Sequence, residues 1–204
     1  MEDKIKKLDW AYLNKFKDEN VKIIAEHSEE KRIVFFGDSI IAGWENYNNK
    51  KNINRGINGQ TTSQMLIRFR PDVIELKPKT VIILAGTNDI AGNTGPTTLE
   101  TILGNLISMC EISKANNIKV ILCSVLPAFD YPWSKGIQPA EKIETLNTMI
   151  QQYARTNDIV FVDYYSEMVD EQKGLKSIYS DDGVHPNKKG YFIMNSILES
   201  QIVM

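Results

Sequence analysis

The 204-residue sequence is short of most things that would bind a metal, staple a fold or cross a bilayer. It holds two cysteines and two histidines. Cys110, in a helical pattern, and Cys123, in an apolar run, lack the close spacing of metal ligands and read as small buried hydrophobes. No stretch reaches the ~18 consecutive apolar residues of a membrane span. The charged N-terminus, MEDKIKKLDWAYLNKFKDENVKIIAEH, has no apolar core of a secretory signal. As written, the chain is expected in the cytoplasm; removal of a leader would move that expectation to the periplasm or the exterior. An excess of one charge is missing too. With 24 Lys and Arg against 26 Asp and Glu, the net charge is −2, which is no footprint for nucleic acid or an anionic membrane. Neither G-x-x-x-x-G-K-[ST] nor G-x-G-x-x-G occurs, so the two commonest phosphate cradles are excluded. A small-molecule ligand is the remaining expectation.

One domain over 1–204 is expected, long enough to bury roughly 70% of the surface its unfolded form exposes. Ile5, Leu8, Tyr12 and Phe16 recur at helical spacing, which predicts an amphipathic N-terminal helix within 1–28 that packs on the domain. A strict alternation follows. Short β-rich runs stand at 32–36, 51–55, 80–85, 119–124 and 159–162, and helical patterns stand between them at 62–69, 97–115, 139–156 and finally 187–202. VIILA and VILCS are apolar without alternation, so both faces of their strands are covered, as in a parallel sheet between helical layers. The fold class is therefore α/β, doubly wound, with about five parallel strands. Such sheets bind ligands outside the carboxyl ends of their strands, where strand order reverses.

The residues after each strand have chemistry in common. Gly37-Asp38-Ser39 follows the first. NRGINGQTT follows the second, with Gly56 read as a turn requirement, Gly59 beside it and a helix N-cap at Thr61 or Thr62. GTND follows the third, with Asn88 and with Asp89 read as a local turn cap. An aromatic loop, LPAFDYPWSKG, follows the fourth, and SDDGVHP precedes the last helix. A serine hydroxyl needs an imidazole to take its proton and a carboxylate to orient that imidazole. Ser39, His185 and Asp182 supply these three parts, and His27 lies in a charged segment that reads as a solvated helix end. An oxyanion needs preorganised N–H donors. The backbone N–H groups of Ser39 and Gly59 and the Asn88 side-chain amide are the candidates. Asp38 reads as a structural hydrogen-bonder.

With FFGDSI, NRGINGQTT, GTND and DGVHP in this order over 33–186, roughly three quarters of the chain, the sequence resembles the SGNH hydrolases, the GDSL-type esterases and lipases, and most of all their small acylhydrolases akin to platelet-activating-factor acetylhydrolase. Ile40 stands where the GDSL pattern has Leu. The resemblance implies a three-layer α/β/α sandwich of flavodoxin-like type, no metal or cofactor, Ser39, Gly59, Asn88 and His185 as the four family residues, and Asp182 rather than Asp181 as the orienting acid. It also implies hydrolysis of carboxylic esters or thioesters. Acetyl esters of carbohydrates are the leading expectation for a chain this compact; lysophospholipase or thioesterase activity is the alternative, and a non-catalytic binding module the rival from another class. Some of Trp44, Tyr47, Phe129, Tyr131 and Trp133 are expected to line the acyl or leaving-group pocket.

Overall fold

The apolar runs form strands because each of their faces meets a helical layer. The computed structural model describes residues 9–26, 32–44 and 52–202. Within them β1 (Ile33–Gly37), β2 (Asn52–Gly56), β3 (Thr80–Leu84), β4 (Lys119–Cys123) and β5 (Val160–Val162) form one sheet in the order β2-β1-β3-β4-β5. Every pairing is parallel. Side chains alternate between two cores. Val34, Phe36, Val81, Ile83, Val120 and Leu122 pack with Met65 and Phe69 of α3 (Thr62–Phe69), Leu106 of α5 (Leu99–Ala115) and Leu146 of α6 (Ala140–Thr156). Phe35, Ile82, Leu84, Ile121 and Val162 face the other way, onto Ile40 and Ile41 of α2 (Ser39–Ala42), Met168 of α7 (Tyr165–Met168) and Met194 and Leu198 of α8 (Lys188–Ile202). The result is the expected three-layer α/β/α sandwich with flavodoxin-like strand order. Cys110 and Cys123 are unpaired and buried in these cores, where burial pushes both thiols up to about 12. Among the described residues no helix is long and apolar enough to cross a membrane.

Chain direction across the sheet reverses between β1 and β3, which is the switch point of this topology. The loops after these two strands carry Gly37-Asp38-Ser39 and α4 (Thr87–Ile90), which contains Asn88.

The N-terminal prediction needs correction. Helix α1 covers only Lys17–Ala25, and residues 9–16 form turns; Ile5 and Leu8 lie outside the described residues. The Asp9 carboxylate accepts hydrogen bonds from the Leu13 and Asn14 N–H groups, and Tyr12 takes a positive φ of 58°. The side chains of Gln64 and Gln60 then donate to the Trp10 and Ala11 carbonyls at 2.7 and 2.9 Å. These bonds satisfy backbone groups that a helix would have used. After α3 the chain continues into a π-helical turn, Arg70–Ile74, where Pro71 has no N–H to donate and Glu75 N–H reaches back to the Arg70 carbonyl.

Two fully buried arginines tie this segment to the sheet. Arg55 donates to Asn20 Oδ1 and Glu19 and lies 4.5 Å over the Phe16 ring. Arg68 pairs with buried Asp72 at 3.0 Å, donates to the carbonyls of Gly37 and Arg55, and reaches Gln60 Oε1. Each guanidinium is thus surrounded by acceptors, the condition under which a buried charge is tolerated.

Candidate active site

Ser39 sits where β1 ends and α2 begins. Gly56, at the end of β2, packs against α2 so closely that a Cβ there would come within 2.1 Å of Ala42 N. Close approach, rather than the expected turn, is what requires glycine. Asp38 caps α2: its Oδ1 accepts from Ile40 N–H at 2.9 Å, and its Oδ2 is buried without a hydrogen-bond partner. Burial pushes this carboxyl up to about 7, against the opposing effects of the Ile40 N–H and nearby His185.

The segment before α8 brings a carboxylate and an imidazole to Ser39. Ser39 Oγ lies 2.9 Å from His185 Nε2, and His185 Nδ1 lies 2.7 Å from Asp182 Oδ2. With its proton on Nδ1 the imidazole donates to the carboxylate and accepts from the hydroxyl. The other Asp182 oxygen accepts from the N–H groups of Val184 and His185 at 2.9 and 2.8 Å. Partial burial acts to raise the Asp182 carboxyl, but hydrogen bonds from the His185 ring and from these N–H groups outweigh it and hold it down at about 2. Asp181 instead accepts from the Asn187 side chain, away from the imidazole.

Three donors stand unspent beside this chain. Among the described residues the Ser39 and Gly59 N–H groups enter no intramolecular hydrogen bond. Gly59 holds a φ of +74°, a left-handed conformation that glycine adopts without penalty. Asn88, 2% exposed, uses one Nδ2 hydrogen on the Gln60 carbonyl at 3.1 Å and keeps the other. The expectation of a local cap at Asp89 is corrected. Its buried carboxylate accepts from the N–H and hydroxyl of Thr62, so it caps α3 across 27 residues and locks the Asn88 turn to the loop carrying Gly59; burial raises it to about 6 despite those bonds. Thr61, not Thr62, is the N-cap residue of α3.

From Ser39 and His185 opens a cleft of about 980 Å³, a size suited to a small molecule. Its walls include Tyr12, Lys15 and Phe16, then Asn52, Asn54 and Asn58, with Trp44 and Tyr191. The five expected aromatics divide. Trp44 borders the cleft, although it is mostly buried against Phe35, Tyr164 and Tyr191. Trp133 is half-exposed and stands 5.9 Å from the His185 ring, centroid to centroid. Tyr131 is fully buried beneath Trp133, its hydroxyl accepting from Thr87, and is corrected to a supporting residue. Phe129 is exposed and packs beside Gly174 instead of lining the cleft. Tyr47 lies outside the described residues.

Sequence reasoning placed Tyr12 on the packing face of a helix and passed over Lys15 and Asn93, the last of which reaches both Asn88 and Gly59 with its side chain. No spacing rule marks Asn93 beyond its position four residues after the last residue of GTND. Among the described residues no group of three His, Cys, Asp or Glu side chains is arranged to hold a metal ion.

A flavodoxin-like sheet with a serine at its switch point, an imidazole at that serine and N–H donors around it defines a class, the α/β/α ester hydrolases. More narrowly, the chain belongs to the GDSL-like lipase/acylhydrolase family, whose sequence profile matches residues 35–193. A provisionally assigned acylhydrolase from Bacteroides fragilis NCTC 9343, known as a crystal structure, is 46% identical with a TM-score of 0.90, over 94% of this chain and 96% of that one. Esterase TesA of Pseudomonas aeruginosa is 26% identical over 182 residues, 80% of this chain and 84% of its own. A shorter match, 37% identical over 81 residues, is to the uncharacterised lipoprotein YqeF of Bacillus subtilis and spans 38% of this chain and 33% of that protein. The family, the acylhydrolase and the esterase among these indicate a carboxylic ester hydrolase. The matched profile begins after the N-terminal segment, so Tyr12, Lys15 and Phe16 wall the cleft from outside it.

Proposed function

We propose that the chain hydrolyses short-chain carboxylic esters, acetyl esters of carbohydrates first among them, through an acyl-enzyme on Ser39. Ser39 Oγ attacks the acyl carbon while His185 Nε2 takes its proton, and Asp182 holds the imidazolium that forms. The carbonyl oxygen becomes an oxyanion that the Ser39 and Gly59 N–H groups and the Asn88 amide stabilise. His185 returns the proton to the leaving alkoxide. A water then attacks the acyl-enzyme with His185 again as base, releasing the acid and restoring the hydroxyl.

The observation that carries this reading is the unbroken line Ser39 Oγ, His185, Asp182 at 2.9 and 2.7 Å beside unspent donors. The carbohydrate preference is supported by the cleft wall. Asn58, Lys15 and Tyr12 offer polar groups there, while the Asn54 amide is occupied by the Ile41 carbonyl and Gly56 N–H and serves to shape the wall. The test is a series of p-nitrophenyl esters from acetate to palmitate, wild type beside Ser39→Ala. The expected result is turnover by wild type alone with a steep fall beyond butyrate. A maximum at long chains would replace the substrate assignment by a lysophospholipase or thioesterase. Equal rates for the two proteins would remove Ser39 from the mechanism, and saturable ester binding without turnover would make the chain a recognition module.

A further inference from the structure

Resting on the reading of Asn88 as an oxyanion donor, we infer that Asn93 and Trp133 form a hydrogen-bonded relay that sets the direction of the Asn88 amide, making Asn93 a positioning residue for this hydrolysis. The indole N–H is a donor and never an acceptor. Trp133 Nε1 donates to Asn93 Oδ1 at 3.1 Å, so the amide oxygen of Asn93 faces the indole and its NH₂ faces inward. The two hydrogens of that NH₂ are both committed: one goes to Asn88 Oδ1 at 2.8 Å, the other to the Gly59 carbonyl at 3.1 Å. Asn88 is oriented in turn. Its oxygen is held by Asn93, one N–H is held by the Gln60 carbonyl, and the remaining N–H is left for the substrate oxygen. Reversing any amide in the series would set acceptor against acceptor or donor against donor.

The relay also joins the two halves of the site. The ring that orients Asn93 stacks on buried Tyr131 at 5.1 Å and lies 5.9 Å from the His185 imidazole, and Asn93 grips the loop that carries the Gly59 N–H. One loop after β4 thereby borders the base and, through Asn93, polarises the Asn88 amide and holds the loop that carries the Gly59 N–H. Asn93 is exposed and Trp133 half-exposed, so both can be replaced without opening a core.

The test measures kcat, KM and melting temperature for Asn93→Ala, Asn93→Asp, Trp133→Phe and Asn88→Ala, and for Asn93→Ala in the Asn88→Ala background. Asn93→Asp keeps shape and acceptor but cannot donate to Asn88 or Gly59. The relay therefore predicts Asn93→Asp below Asn93→Ala, and Asn93→Ala about tenfold below wild type in kcat, a fraction of the 10²–10³ expected for losing a whole oxyanion donor. KM stays within about twofold and melting is unchanged. Trp133→Phe, which keeps a ring beside His185 but loses the N–H, falls about threefold with no shift in its pH–rate profile. In the Asn88→Ala background the Asn93 effect shrinks to about threefold or less, because coupled residues are not additive. An Asn93→Asp variant as active as wild type, or an undiminished Asn93 effect without Asn88, would overturn the relay while Asn88→Ala still reports the oxyanion role. Wild-type kcat in Asn88→Ala would overturn that role and the relay with it.

Discussion

Asp38 offers a quantitative test of what the fold tolerates beside its nucleophile. The carboxyl is fully buried, has one hydrogen-bond donor for two oxygens, and is raised from 3.8 to about 7 by that burial. The native state favours its protonated form, so its contribution to stability is complete below pH 3.8 and is lost as pH rises through about 7. Within that window the native chain holds a proton that the unfolded chain has released. Stability then falls by about 1.4 kcal/mol per pH unit, roughly 4 kcal/mol in all as an upper bound. Asp38→Asn removes the titration. It keeps an oxygen for the Ile40 N–H and places an NH₂ where Oδ2 has no partner, at a cost of about 1–3 kcal/mol. Above pH 7.5 the variant should be more stable than wild type by about 1–3 kcal/mol, several degrees in melting temperature for a chain of this length. Near pH 4 the order should reverse. Urea denaturation of both proteins from about pH 4 to 8.5 gives two stability curves that cross between about pH 4.5 and 6. Asp89 is also raised by burial, but it titrates in both proteins, so the difference curve isolates Asp38. Parallel curves would refute the reasoning and require a partner for Oδ2.

Two other substitutions probe the support and the base. Arg68→Met leaves buried Asp72 without its charge partner and releases the Gly37 and Arg55 carbonyls; a loss of about 3–5 kcal/mol is expected in urea denaturation, together with reduced kcat because Gln60, next to Gly59, loses one of its two side-chain anchors. Asp182→Asn should lower kcat on the order of 10³- to 10⁴-fold in single-turnover measurements, since an amide cannot hold the same tautomer of His185. Because the Asp182 carboxyl is depressed to about 2, its contribution to stability is present above pH 3.8 and lost as pH falls through about 2, and acid titration by circular dichroism should show that leg weakened in the variant.

What was legible in the sequence follows from which physical signal each part sends. The strands were readable because burial on two faces leaves an unbroken apolar run, and α3, α5, α6 and α8 because burial on one face leaves a 3.6-residue period. Ser39, Gly59 and Asn88 were readable as candidates because each follows a strand whose end the pattern marks, and His185 because it stands just before the last helix. Periodicity reports what a segment buries, however, and says nothing of what distant side chains do to its carbonyls. Leu8, Tyr12 and Phe16 have helical spacing, yet Gln60 and Gln64, some fifty residues away, claim the carbonyls of Ala11 and Trp10, and Asp9 claims the N–H groups beyond. The same blindness hid Arg68, which is buried among Asp72 and three further acceptors, and Asn93, whose role exists only because an indole forty residues later can donate and cannot accept. In each case the missing signal is a polar group completing its hydrogen bonds across the fold. These long-range bonds shape the cleft beside the nucleophile, so the wall proposed to meet the substrate is the part of the molecule least legible from local pattern.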